Sequence, residues 1–305
     1  MAERLKGNVL VTGANRGIGL ELVQQLAETT GHRAHVYACC RAPEGTGAEA
    51  LRDLTTQYPG KITMLKLDAS DEDSVSAAFQ ALNERIGADG LNLLINNAGI
   101  NQPGMPGSLS ATGKKDMMQV YETNVVGPFL IAKMFLPLLQ RAAEMDSPEK
   151  EGDQMSCRRS AIINMSTLVS SIEKCPETFA RAQMYAYRAS KAALNMVTRC
   201  QSEDFRRHNI LVTAIHPGWV RTGMGGEEVS CSRALQAVPQ VCVRKEELGR
   251  AVLCPRCFQV EPAPLFARLL PVSAGDCYLH TVGRWTDKRY AQAFVLNRMS
   301  THCGF

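Results

Sequence analysis

The sequence predicts an α/β fold in a single domain: a doubly wound parallel sheet with helices on both faces. Three observations carry this. Six short apolar runs alternate with stretches of helical character, and strands joined by helical crossovers pair in parallel. The first run leads straight into a glycine-rich turn and then a helix. A chain of 305 residues, 45% hydrophobic and 21% charged, suits a soluble globular protein with a sizeable core.

Asn8-Val9-Leu10-Val11 is apolar with β-branched content and reads as a buried strand. Thr12-Gly13-Ala14-Asn15-Arg16-Gly17-Ile18-Gly19 follows, then a helix from Leu20 to Ala27. Gly13, Gly17 and Gly19 allow a tight turn and let backbone approach a phosphate, while the helix N-terminus supplies amide donors. The spacing is G-x-x-x-G-x-G, and a plain loop is the bland alternative. The flanking strand and helix favour a phosphate site in a Rossmann-type unit. Residues 35–40 read as the second strand, ending at Arg41, where this architecture faces an adenosine ribose. No acidic residue stands there to bond a 2′-hydroxyl. Arg41, helped by Arg16, suits a 2′-phosphate, which favours NADP(H) over NAD(H). Two solvated surface arginines are the alternative.

Residues 48–58 read as helix, stopped by Pro59-Gly60. Residues 62–67 are the third strand, ending at Asp68. Ser70-Asp71-Glu72-Asp73 then opens a helix to about Ile86, with an acidic first turn that suits the helix dipole. Residues 91–95 are the fourth strand. Asn96-Asn97-Ala98-Gly99 follows, a small-residue turn at a strand's carboxyl end, where open α/β sheets bind ligands. Residues 101–113 form a Pro/Gly/Ser-rich loop, and 115–143 read as a long helix kinked at Gly127-Pro128. Asn124 is a poor helix-interior residue. It bonds a freed backbone carbonyl or a water, or is simply tolerated. Residues 146–159 read as an exposed polar loop. Residues 161–165 are the fifth strand, ending at Ser166-Thr167, whose hydroxyl serves either a substrate carbonyl or its own turn backbone. Residues 185–208 read as helix and 210–215 as the sixth strand. His216, at the turn that follows, receives no catalytic role.

The helix at 185–208 holds the sharpest chemistry. Tyr187 and Lys191 are four apart, so both project from one helix face. Tyr185 has alanine at its i+4 position and no such partner. A cation near a phenol favours the phenolate and tunes the group for proton exchange with a carbonyl oxygen. The plain alternative is an ordinary helix with a half-buried Tyr and a Lys reaching for solvent.

The net charge of +4 is spread over mixed signs without a Lys/Arg block, so nucleic acid is not expected as a partner. Met1 to Asn8 shows no apolar signal region, and no run of about eighteen apolar residues suggests a membrane span. Eleven irregularly spaced cysteines fit free thiols in a reducing, cytoplasmic setting. Cys254-Pro255-Arg256-Cys257 is a single C-x-x-C, too few ligands for zinc, so no metal is expected.

Together these residues resemble the short-chain dehydrogenase/reductase family over about 8–226. The motifs are Thr12–Gly19, Asp68, Asn96–Gly99, Asn124, Tyr187 with Lys191, and Pro217-Gly218 with Val220 and Thr222. The runs at 187–195 and 216–226 look most similar to the branch of sniffer-type carbonyl reductases and C-factor proteins. The resemblance implies NADPH-dependent reduction of a small-molecule carbonyl compound, an aldehyde or ketone. It implies Tyr187 as general acid, Lys191 lowering its pKa and holding the nicotinamide ribose, and Asn124 holding a relay water. Gly13, Gly17 and Gly19 shape the pyrophosphate loop, with Asn15, Arg16 and Ile18 as its other cofactor-binding members. Asp68 contacts the adenine, while Asn97, Ala98, Gly99, Pro217, Gly218, Val220 and Thr222 line the adenosine and nicotinamide sides.

The sequence departs from the family twice. Its catalytic serine position holds Thr167, which keeps the hydroxyl and adds a methyl. Ser166 faces away if strand alternation persists. Residues 227–305 match the pattern poorly and are expected to be a substrate lid or an atypical extension of the same domain, with a late helix near 244–253 and a last strand near 275–279. In the family this stretch helps build the substrate pocket and dimer contacts, so a homo-oligomer stays open. The competing reading is an NADP(H)-binding regulatory or signalling protein with little turnover.

Overall fold

The apolar runs become six strands in a computed structural model that describes residues 5–30, 34–145, 159–218, 220, 222 and 224. They are β1 (Gly7–Thr12), β2 (Ala34–Cys40), β3 (Ile62–Lys66), β4 (Leu93–Asn96), β5 (Ala161–Met165) and β6 (Leu211–Ile215). All pair in parallel, in the order β3-β2-β1-β4-β5-β6. The order reverses between β1 and β4, which opens a crevice at the strands' carboxyl ends.

The strands are joined by α1 (Gly17–Thr29), α2 (Glu49–Gln57), α3 (Glu72–Ile86), α4 (Lys114–Tyr121), α5 (Gly127–Met145), the short α6 (Cys175–Thr178) and α7 (Tyr185–Asp204). Strand alternation sorts the core into two layers. Val9 and Val11 of β1 join Leu22, Val23 and Leu26 of α1 on one face. Leu10 joins Leu82 of α3 and Ile131, Phe135 and Leu138 of α5 on the other. A sheet covered on both faces needs apolar residues on both, which is why its strands read as continuous apolar runs. Asp71 caps α3, its carboxylate accepting from the amides of Asp73 and Ser74.

The long helix expected at 115–143 is present but broken differently. A π turn at Glu122–Val126 separates α4 from α5, and the Gly127 amide reaches back five residues to the Glu122 carbonyl. Pro128 therefore lies in the first turn of α5, where its missing N–H costs little, and the irregularity falls one turn before the predicted kink. Gly127 is required by contact: a Cβ there would lie 2.5 Å from the Ala69 carbonyl oxygen. Lys114–Met145 is long and apolar enough to cross a membrane by composition, but half of its most apolar window is buried within the protein, as in a core helix. The last predicted helix stops at Asp204, and a separate 3-10 turn, Arg206–His208, ends on left-handed Asn209. Cys39, Cys40, Cys175 and Cys200 are free thiols among the described residues. The polar loop at 146–158, the C-x-x-C and everything expected of 227–305 lie outside them.

Candidate active site

The glycine turn is held by three separate anchors. Thr12 Oγ1 accepts from the amides of Asn97 and Ala98, both at 3.0 Å, joining the ends of β1 and β4. Asn97 Nδ2 returns bonds to the carbonyls of Thr12 at 2.9 Å and Gly13 at 3.2 Å. The Ala14 amide donates to the Cys39 carbonyl at 2.9 Å, and Asn15 Nδ2 donates to the Gly47 carbonyl at 2.9 Å, just beyond Arg41.

No side chain fits at Gly13 or Gly19. A Cβ on Gly13 would lie 2.9 Å from Ala98 Cα, and one on Gly19 would lie 2.1 Å from the Gly13 carbonyl oxygen. Gly17 has a φ of 54° and abuts Thr222, whose Cγ2 lies 3.3 Å from its Cβ position. The segment after β6 thus meets the glycine turn.

Three features of this end of the sheet fit a dinucleotide phosphate. The first turn of α1 has no side-chain cap and no acidic residue, so its amides and positive dipole end face outward. Arg16 and Arg41 are both exposed beside it. Ile18, Gly218 and Val220 are half-buried, and Pro217 is buried. Asp68 stands farther along, at the end of β3, with Oδ1 accepting from the amide and hydroxyl of Ser70 at 3.0 and 2.7 Å.

A second group converges where β4, β5, the π turn and α7 meet. The π turn carries Asn124 inward to full burial. Its Oδ1 accepts from the Ile100 amide at 2.8 Å, and its Nδ2 donates to the Ile100 carbonyl at 2.9 Å and to Ser190 Oγ at 3.1 Å. Asn124 therefore clamps the exit of β4 to α7, and bonds no freed carbonyl of its own helix. Lys191 Nζ donates to the Met165 carbonyl at 2.7 Å and lies 5.8 Å from the centre of the Tyr187 ring. Gly99 completes the group: its Cβ position is 3.2 Å from Asn124 Oδ1 and 3.6 Å from Lys191 Nζ.

Thr167, two residues past β5, opens a 3-10 turn, its Oγ1 accepting from the Val169 amide at 3.4 Å. This is the turn-bonding arrangement weighed from sequence. The hydroxyl hydrogen keeps no acceptor among the described residues. Ser166 turns its hydroxyl to Asn195 Oδ1 at 2.6 Å.

Burial dominates the protonation of the pair. It pushes the Tyr187 phenol up to about 12 and the Lys191 ammonium down to about 8. The i+4 spacing predicts a lysine that lowers the phenol. Here Lys191 spends a donor on the Met165 carbonyl and makes no hydrogen bond to the phenol, so desolvation wins. His216 is half-buried, its Nδ1 enclosed and without a partner among the described residues, and desolvation lowers its imidazole to about 4.

Three residues of this region were not singled out from sequence. Ser190 links Asn124 to the Tyr187 carbonyl, which its Oγ reaches at 2.8 Å. Asn195 bridges Ser166 and Ser170. Arg188 is 7% exposed and binds the Ala182 and Val169 carbonyls at 2.8 and 3.1 Å, with Thr178 Oγ1 at 3.0 Å. It pins the loop before α7. Their only advance signal was proximity to the Tyr–Lys pair, since an Arg or Ser on a helix is ordinarily solvated.

A sequence model of the short chain dehydrogenase family matches residues 7–231. The short-chain dehydrogenase anuI of Penicillium roqueforti is 34% identical over 231 residues, covering 74% of this chain and 83% of that protein. The NADPH-bound carbonyl reductase from chicken fatty liver is 38% identical with a TM-score of 0.73, over 82% of this chain and 96% of that one. The carbonyl reductase Sniffer of D. melanogaster is 33% identical with the same TM-score, 0.73, and the same two coverages, 82% and 96%.

Proposed function

The chain belongs to the short-chain dehydrogenase family and is an oxidoreductase, and we propose that it reduces an aldehyde or ketone with NADPH, Tyr187 serving as proton donor. The observation that carries this reading is the convergence of Tyr187, Lys191, Asn124 and Gly99 at the crevice, beside a glycine turn that fits a dinucleotide phosphate. The similarity to carbonyl reductases at 38% and 33% identity supports the substrate class, and the chicken enzyme's bound NADPH supports the cofactor.

In this reading the open first turn of α1 and the Gly13–Gly19 backbone hold the pyrophosphate. Arg41 and Arg16 take the 2′-phosphate, Asp68 the adenine, and the Asn97–Gly99 and Pro217–Thr222 segments line the groove. NADPH, when bound, supplies the hydride.

The chain's own residues govern the proton. A phenol pushed up to about 12 stays protonated at neutral pH and can donate to the carbonyl oxygen. The Thr167 hydroxyl donates a hydrogen bond to the same oxygen, stabilising the charge that grows there. The phenolate left behind faces the Lys191 ammonium. Both amide hydrogens of Asn124 are spent on Ile100 and Ser190, so a relay water is held through the remaining lone pair of Oδ1.

Mixing the protein with NADPH and a panel of dicarbonyls, quinones and aldehydes tests the reading. NADPH consumption matched by alcohol formation is expected. Bound NADPH with no carbonyl reduced would overturn it in favour of a cofactor-binding regulator.

A further inference from the structure

Side chains along α7 reach the end of β5 and the turn after it: Thr198 Oγ1 accepts from Asn164 Nδ2 at 2.9 Å, and Arg188 donates to the Val169 carbonyl at 3.1 Å. Lys191 Nζ donates to the Met165 carbonyl. One turn on, Asn195 spans a hydrogen-bonded chain with a single direction. The Ser166 hydroxyl donates to Asn195 Oδ1 at 2.6 Å. Asn195 Nδ2 donates to Ser170 Oγ at 2.8 Å, and the Ser170 hydroxyl donates to the Thr167 carbonyl at 2.6 Å. Every donor has one acceptor, and the order cannot be reversed while Asn195 Oδ1 receives the Ser166 proton. Thr167 is thereby gripped on both sides from the helix that carries Tyr187. Ser166 and Ser170 are 8% and 7% exposed, so water competes little for these groups.

We propose that Asn195 is a positioning residue, which fixes the Thr167 hydroxyl relative to Tyr187 through Ser166 and Ser170. Lys191 and Thr198 hold the strand itself, the Ser166 amide donates to the Ile215 carbonyl at 2.7 Å, and Arg188 holds the turn at the Val169 carbonyl. Between those points the Asn195 chain is the side-chain link from α7 to the Thr167 peptide, and cutting it loosens that peptide and the Thr167 side chain with it. The proposal rests on the carbonyl-reductase reading for its effect on rate, but the grip itself is a property of the fold.

Asn195→Asp is the discriminating variant. It has the same shape, still accepts from Ser166, and has no hydrogen to give Ser170. The Ser170 hydroxyl then turns to the carboxylate, and the Thr167 carbonyl keeps only the longer bond from the Ser170 amide, at 3.3 Å. Ser170→Ala empties the same link from the other side. In both variants, amide hydrogen exchange at Val169 and Ser170 should rise, while β5 and α7 keep their protection. The same two variants should lower kcat by about tenfold or more, the scale of a small misplacement of a reacting group, with KM and NADPH affinity unchanged. The double variant should be no slower than either single one, because both cut one chain.

Unchanged exchange at Val169 and Ser170 in either variant overturns the grip, whether or not the parent turns over any carbonyl. Raised exchange with an unchanged kcat, or effects that add in the double variant, overturns the link from Asn195 to the reaction. A parent without turnover but with raised exchange in the variants keeps the grip and sinks the reductase reading instead.

Discussion

The Lys191 ammonium ends on the Met165 carbonyl oxygen, 2.7 Å away, tying the residue after Ser190 on α7 to the last residue of β5. The lysine is 4% exposed, and burial brings its pKa down to about 8. If its charge stabilises the phenolate formed on Tyr187, kcat/KM for reduction should be level below pH 8 and fall by one proton's slope above it. Tyr187 itself, near 12, contributes nothing in that range. A profile that stays level to the alkaline limit of the assay would remove the ammonium from the reaction. Stability moves the other way. The unfolded chain, with lysine near 10.5, binds more protons than the fold between pH 8 and 10.5, so this group's penalty is relieved as pH rises through that window.

Arg41 stands exposed, one residue past the end of β2. Arg41→Ala should raise the KM for NADPH by about tenfold to a hundredfold, the scale of a lost charge-assisted hydrogen bond, and leave the KM for NADH nearly unchanged. Equal effects on both cofactors would return Arg41 to the status of a solvated surface residue.

Asn124 is structural before it is chemical. Asn124→Ala strips the partners from the amide and carbonyl of Ile100, so unfolding by urea should show a loss of about 2–4 kcal/mol. NADPH turnover should fall as well, because Gly99 and Ile100 lose their anchor to α7. A variant as stable as the parent would mean that water replaces the amide without cost.

His216 links the fold to acid. Its pKa is lowered from 6.5 to about 4 by burial. The unfolded chain therefore binds more protons between those values. The stabilising contribution is complete above pH 6.5 and is lost as pH falls toward 4, by on the order of 3 kcal/mol. Thermal melts of the parent should drop across that window more steeply than those of His216→Asn. Parallel curves would show the imidazole to be solvated.

The six strands and the glycine turn were legible because burial on both sheet faces writes itself as apolar runs, and because Gly13 and Gly19 leave no room for a side chain. Tyr187, Lys191 and Asn124 were legible as a spacing and a motif. The break before α5 was not, since a π turn at 122–126 has no residue signature as plain as Gly127-Pro128, which suggested a kink one turn later. The protonation of Tyr187 was misjudged for a related reason. Sequence gives the i+4 spacing of the lysine, whereas the direction of the shift depends on burial and on the Met165 carbonyl, which only the folded chain brings to Lys191. The Asn195 chain was equally hidden, because it joins three segments through side chains that are usually solvated.

The central claim is that the Tyr187 hydroxyl delivers the proton. Tyr187→Phe removes that one oxygen and keeps the ring beneath Lys191. NADPH oxidation with a carbonyl that the parent reduces should slow by about 10²- to 10⁴-fold, while NADPH still binds with the parent's affinity. Turnover within about fivefold of the parent would contradict the account and place the proton donor elsewhere.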